Sequence, residues 1–200
     1  MKFVVETPRG PARVHLHEAD GPRAALVLGH GAGGGVTAPD LVAVKDVALE
    51  ESFSVALVEQ PYRVAGRRSP PPANQLDAAW TSVLERLRGD ELAGLRFVTG
   101  GRSSGARVAC RTIKATNPVG VLCLAFPLHP PGRSLLSRLG ELDAVRVPVL
   151  VVQGSSDPFG MPPPGPNREV VAVRGNHSLR SDVQALRTAV REWLRKQGAA

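Results

Sequence analysis

Gly101-Arg102-Ser103-Ser104-Gly105 lies between the apolar run Leu95-Arg96-Phe97-Val98-Thr99 and a helix-like segment from Ala106 to Thr116. No other stretch restricts the backbone so tightly. A Gly-x-Ser-x-Gly between a strand and a helix folds as a sharp turn, where side chains at the glycine positions would collide with the adjoining elements. The hydroxyl of Ser103 then projects from the sheet edge, and the following helix aims its first N–H groups at the same point. A serine held there is a candidate nucleophile for a carbonyl carbon. Short motifs recur by chance, so the rest of the chain has to supply the context.

It does so in order. The strand-like run Val147 to Val152 leads into Gly154-Ser155-Ser156-Asp157, and a shorter run, Val170 to Val173, leads into Gly175-Asn176-His177. A serine, an acid and a histidine, each just after a strand, form a set able to perform acyl transfer. His177 is the expected base, Asp157 its orienting carboxylate and Ser103 the acyl carrier. Asp143 competes as the acid, but it precedes its strand and so falls at the opposite sheet edge. Upstream, Ala24 to Leu28 runs into Gly29-His30-Gly31-Ala32-Gly33-Gly34-Gly35. Such a loop lets a backbone N–H approach a developing oxyanion; Ala32 is the expected donor, Gly33 its substitute, and Ser104 the second donor.

Strand-like and helix-like segments alternate along the chain. Phe3-Val4-Val5 and Val14-His15-Leu16 read as an antiparallel pair, with His15 and His17 facing water. A helix is expected from Asp40 to Glu51, a strand at Val55 to Val58, and a helix from Leu76 to Leu87 with Asn74 as its cap. Beyond the serine turn come a strand at Val119 to Ala125 and a short helix at Leu135 to Leu142. The last helix carries Val183, Leu186, Val190, Trp193 and Leu194 as an apolar stripe, with Arg187, Arg191 and Arg195 on a solvated face. This alternation predicts an α/β fold whose mostly parallel sheet is covered on both faces, with ligands at the carboxyl ends of its strands.

With these pieces assembled, the chain resembles the α/β-hydrolase superfamily, and within it the small, capless, dienelactone-hydrolase-like branch. That branch includes the hydrolase-like domain of a chromatin acetyltransferase complex subunit and related bacterial proteins. The resemblance rests on His30-Gly31-Ala32-Gly33, Pro61-Tyr62, Gly66-Arg67-Arg68, Pro70-Pro71, the Ser103 turn, His129-Pro130-Pro131-Gly132, Gly154 to Gly160 and Gly175-Asn176-His177-Ser178. It implies a three-layer αβα sandwich and a Ser103-Asp157-His177 triad, with no agreed substrate. One departure is Met161-Pro162-Pro163-Pro164-Gly165-Pro166, where a short helix commonly follows the acid; these prolines remove donors and cannot form one.

Composition narrows the remaining choices. At 200 residues, 42% hydrophobic, the chain suits one α/β domain over residues 1–200. The N-terminus has no apolar stretch of signal-peptide length, and the longest run, Val119 to Leu128, is too short to span a bilayer, so the expectation is a cytoplasmic protein without a membrane role. Cys110 and Cys123 lack metal-ligand spacing and read as buried free thiols; no metal or organic cofactor is called for. The net charge of +7 invites nucleic acid, but the arginines are scattered and a single tyrosine gives no aromatic-basic interleaving, so no nucleic-acid role is expected. Gly29-x-Gly31-x-x-Gly34 with Glu59 formally fits a dinucleotide fingerprint. The loop nevertheless runs on to Pro39 before a helix can start, which leaves the pyrophosphate without its helix N-terminus. His30, Tyr62, Arg63 and His129 fall at strand ends and could line a pocket. The short connection before Val147 leaves little material for a cap, so the site should be open. The expectation is a serine hydrolase acting on a small-molecule carboxylic ester or thioester. The alternative is a hydrolase-fold interaction module with a vestigial site.

Overall fold

β-branched and apolar runs build the sheet, and the structure, a computed structural model, describes residues 1–198. The strands are β1 (Lys2–Val5), β2 (Ala12–His17), β3 (Ala24–Gly29), β4 (Phe53–Glu59), β5 (Phe97–Arg102), β6 (Gly120–Leu124), β7 (Val149–Gly154) and β8 (Arg168–Val173). Between them lie α1 (Pro39–Glu50), α2 (Pro61–Val64), α3 (Ala73–Gly89), α4 (Ser104–Arg111), α5 (Ile113–Thr116) and α6 (Leu139–Asp143), and α7 (Val183–Gly198) follows β8. The eight strands share one sheet in the order β1-β2-β4-β3-β5-β6-β7-β8. β1, β2 and β4 pair antiparallel, and every later pairing is parallel.

Side chains alternate across the central strands, as the pleat requires. Leu26, Leu28, Val55, Leu122, Leu124 and Leu150 face α1 and α7, whereas Ala25, Val27 and Phe97 pack with α3, and Val121, Cys123 and Val151 with α4 and α6. The fold is thus the expected α/β arrangement of three layers. Residues 125–148, between β6 and β7, contain only the five-residue α6, so no cap stands over the sheet edge. Among the described residues, no helix is long and apolar enough to cross a membrane.

Several local expectations need correction. Helix Ala106–Thr116 is two helices, broken at Thr112, whose hydroxyl donates to the Val108 carbonyl at 2.8 Å and competes with the backbone ladder. The helix expected from Leu135 begins at Leu139, where Ser137 Oγ accepts the Leu139 N–H, and Leu135 is left 99% exposed. Asn74 does not cap α3. Pro72 holds that position at φ −51°, its ring angle already suited to a helix start. The arginines of α7 are not merely solvated either: Arg187 and Arg191 hold Glu50, and Arg195 holds Glu51, at the end of α1. His15 does not simply face water, because its Nε2 lies 3.1 Å from Glu59 Oε2.

The apolar stripe of α7 and its arginine ladder should contribute very unequally. Leu186, fully buried between α7 and the sheet, should cost about 2–5 kcal/mol as Leu186→Ala in urea unfolding. Arg191→Gln removes a screened, partly exposed pair and should leave the midpoint nearly unchanged.

Candidate active site

β5 ends by delivering Ser103 in a turn that few side chains tolerate. Ser103 has φ 53° and ψ −108°, and its N–H donates to the Leu124 carbonyl at 2.8 Å, tying the turn to the end of β6. A positive φ on a non-glycine residue stores strain of order 1–3 kcal/mol, which the surrounding structure has to hold. The glycines on either side are there for space. A Cβ on Gly101 or on Gly105 would lie 2.4 Å from the carbonyl oxygen of Gly29. β3 and the start of α4 therefore cross almost in backbone contact.

Two loops bring the other candidates to this point. The loop after β7 carries Asp157, whose carboxylate is 1% exposed, and the loop after β8 carries His177, 18% exposed. His177 Nδ1 lies 2.7 Å from Asp157 Oδ2, and His177 Nε2 lies 2.9 Å from Ser103 Oγ. Gly154 makes room for the histidine loop, since a Cβ there would lie 2.4 Å from the Asn176 carbonyl oxygen. The proline-rich segment after Asp157 does not disturb this. Phe159 N–H donates to Asp157 Oδ1 at 2.9 Å, closing a tight turn around Pro158 ahead of the proline run at 162–166.

The glycine-rich loop after β3 lies on the other side of Ser103. Tyr62 O–H donates to the Ala32 carbonyl at 2.9 Å, fixing that peptide. Ser104 opens α4, where a first-turn N–H has no acceptor inside the helix. Gly33, the second candidate in the loop, is exposed. His30 is buried beneath the loop: Gln60 N–H donates to its Nε2 at 3.1 Å and its Nδ1 lies 2.8 Å from the Gly31 carbonyl. Burial lowers its pKa, in keeping with a neutral ring that donates from Nδ1. Burial also pushes the Tyr62 hydroxyl up to about 12, so it remains a donor. Tyr62 lines a groove of about 220 Å³ together with Pro61, Arg67, Pro71 and Leu76. Arg63 turns back to the Arg67 carbonyl, and His129 Nδ1 lies 2.8 Å from the Leu136 carbonyl, beside the loop of Asp157. The His30 and Tyr62 rings meet with centroids 5.7 Å apart, whereas His129 contacts Leu136, Phe159 and Gly160.

Competing assignments are occupied elsewhere. Glu59, the candidate ribose acid, accepts from Arg13 at 3.2 Å and faces His15. Burial would raise its pKa, but the hydrogen bonds from His15 and Arg13 outweigh that and hold it low. Asp143 pairs with Arg168, the first residue of β8, at 3.0 Å, and so lies at the sheet edge opposite the one that carries Ser103. Among the described residues, no group of three or more histidine, cysteine or acidic side chains is placed to hold a metal ion. Cys110 and Cys123 are free and buried.

Two residues that sequence reasoning overlooked support the acid and the histidine. Gln153, fully buried in β7, brings its amide nitrogen 2.9 Å from Asp157 Oδ2 and 3.0 Å from the Phe126 carbonyl. Phe159 meets His177 edge-on, with ring centroids 4.6 Å apart. A glutamine directly after the four apolar residues Val149 to Val152 was the available signal: a polar amide where a parallel strand is buried on both faces needs a partner.

The fold has counterparts among known proteins. The family model described as alpha/beta hydrolase domain matches residues 22–191. A serine hydrolase without lid from Xanthomonas campestris superposes with a TM-score of 0.80 at 19% identity, over 100% of this chain and 95% of that one. Est1E from Butyrivibrio proteoclasticus gives 0.82 at 13% identity, over 100% and 99%. Dienelactone hydrolase from Anabaena variabilis gives 0.74 at 16% identity, over 98% and 96%.

The turn at Ser103 makes opposite predictions for two small changes. Gly105→Ala must push β3 from α4 and should destabilise by about 1–3 kcal/mol, whereas Ser103→Gly relieves the positive φ and should stabilise by about 1 kcal/mol. Thermal unfolding of both variants checks the pair of signs.

Proposed function

The chain belongs to the alpha/beta hydrolase domain family, and on that premise we propose that it is a serine hydrolase cleaving a carboxylic ester or thioester. Residues 1–200 act as a single hydrolase unit in this reading. The observation that carries it is the unbroken relay Asp157 Oδ2, His177 Nδ1, His177 Nε2, Ser103 Oγ, with separations of 2.7 and 2.9 Å at its two hydrogen bonds.

The chemistry follows from those contacts. Asp157 accepts from Nδ1–H, which leaves the Nε2 lone pair facing the Ser103 hydroxyl. As Ser103 Oγ attacks the acyl carbon, its proton passes to Nε2, and the imidazolium is stabilised by the buried carboxylate. Negative charge gathers on the former carbonyl oxygen, for which the N–H groups of Ser104 and Ala32 are the donors, with Gly33 next in line. The Tyr62 bond to the Ala32 carbonyl holds that peptide's plane. Collapse of the tetrahedral intermediate expels the alcohol or thiol, which takes the proton from Nε2. Water then attacks the acyl-serine with His177 as base, and the acid leaves. The short connection between β6 and β7 leaves the site open, which suits small-molecule esters with an accessible carbonyl. The groove along Tyr62, whose hydroxyl holds the Ala32 peptide, is the surface we assign to a substrate's larger group.

Ser103→Ala should lower kcat/KM for p-nitrophenyl acetate by about 10⁴-fold or more, because the relay would then have no nucleophile. A fluorophosphonate probe should label the wild-type protein at Ser103 and leave the variant unmodified. Full activity in Ser103→Ala refutes the assignment. A wild-type protein that neither labels nor turns over esters points instead to an interaction module with a vestigial site.

A further inference from the structure

His177 has to keep two hydrogen bonds in line at once, and its side chain is not what fastens its backbone. The His177 carbonyl accepts from Arg102 Nη2 at 3.1 Å. Arg102 ends β5 and is the residue directly before Ser103, so the histidine loop is tied to the nucleophile's own strand across 75 positions of sequence. The same guanidinium is held from behind. Its Nε lies 2.8 Å from Asp40 Oδ2, in the first turn of α1, and the Asp40 side chain is 1% exposed. The other Asp40 oxygen accepts the Leu41 N–H at 3.0 Å. Gly31 lies flat against the guanidinium, where a Cβ would come 2.8 Å from Nη1.

We propose that Arg102 is a positioning residue, which locks the backbone of His177 to the Ser103 turn and takes its own orientation from the buried Asp40. This rests on the hydrolase reading of the site. It also explains why a carboxylate is buried there at all. Burial raises the Asp40 pKa and the adjacent guanidinium works against that rise, so the charge is tolerable only while Arg102 stays in place. A lysine could not do the same work. It offers one nitrogen on a flexible stem, whereas the guanidinium spans Asp40 and the His177 carbonyl with two nitrogens in a fixed fork. Arg102 also borders a polar cavity of about 370 Å³ with Gly33, Ser178 and Arg180, so binding an anionic part of the substrate is the rival role. Its Nη2 already donates to the His177 carbonyl and its Nε side is ion-paired with Asp40, which favours positioning.

The test uses Arg102→Lys and the double variant Asp40→Asn/Arg102→Met, which leaves no buried carboxylate without a partner. Two readouts are taken: kcat and KM on a neutral p-nitrophenyl ester, and long-range ¹H–¹⁵N spectra of the imidazoles, which report the His177 tautomer without requiring turnover. Misplacing a base by a fraction of an ångström should lower kcat by about 10- to 100-fold with KM changed less than about threefold. Lysine should recover little of the loss. The wild-type ring should hold one tautomer, protonated at Nδ1, and the variants should show averaged or mixed tautomers. Folded variants with unchanged kcat and an unchanged tautomer overturn the proposal, as does a rise in KM alone, which makes Arg102 a substrate-binding residue. If the wild-type protein proves inactive on every ester, the hydrolase reading fails, and the tautomer comparison still decides what Arg102 does.

Discussion

The carbonyl oxygen of Gly29, at the end of β3, lies so close to the start of α4 that a Cβ on either Gly101 or Gly105 would sit 2.4 Å from it. That approach sets the positions of everything around it. It forces β5 to turn sharply, which puts Ser103 at φ 53° with its hydroxyl above the sheet edge. It also sets the glycine-rich loop after β3 alongside the first turn of α4, so the amides of Ala32 and Ser104 come from neighbouring stretches of backbone. A larger residue at the crossing would separate the strand from the helix, and the strained serine would lose the packing that holds it.

Charge is used locally in this molecule. Arg111 grips Asp77 through two nitrogens, Arg107 does the same to Glu141, and the α7 arginines hold the end of α1. These pairs join neighbouring helices on each face of the sheet. Most are partly exposed and contribute modestly. The Arg102–Asp40 pair is different because its acid is buried, and a buried carboxylate is costly unless a partner stays beside it. Several of the arginines therefore serve as helix-to-helix clamps, and each such pair is neutral, so they leave the net charge of +7 to the other basic side chains.

The order of strands and helices was legible because each buried strand reads as an unbroken apolar run and each amphipathic helix as a stripe. The residues at the strand ends were legible because glycine, serine, aspartate and histidine stand out there. What stayed hidden was whatever depends on contacts distant in sequence. Thr112 looks like any helical threonine until its hydroxyl is seen bonding to Val108. Asn74 is a good cap by type, but the prolines before it had already fixed where α3 starts. Arg102 occupies a position that the Gly-x-Ser-x-Gly pattern leaves open, so the motif assigns it nothing. Its significance appears only when α1 and the His177 loop converge on it.

With only α6 between β6 and β7, no lid stands over the site among the described residues, so on the proposed hydrolase reading the alignment has to exist before a substrate arrives. Each member of the Ser103-His177-Asp157 set is accordingly supported from a second element. Ser103 N–H is held by β6 through Leu124, Asp157 by Gln153 from inside β7, and His177 by Arg102 from the end of β5. Supports drawn from the sheet itself are stiffer than loop-to-loop contacts, because moving any of them means breaking a ladder buried on both faces. An open site can then admit substrates freely without leaving its base misaligned between encounters. On the same reading the buried carboxylate of Asp40 has a place: its desolvation cost is borne throughout, in exchange for a histidine that would not have to be ordered at each turnover.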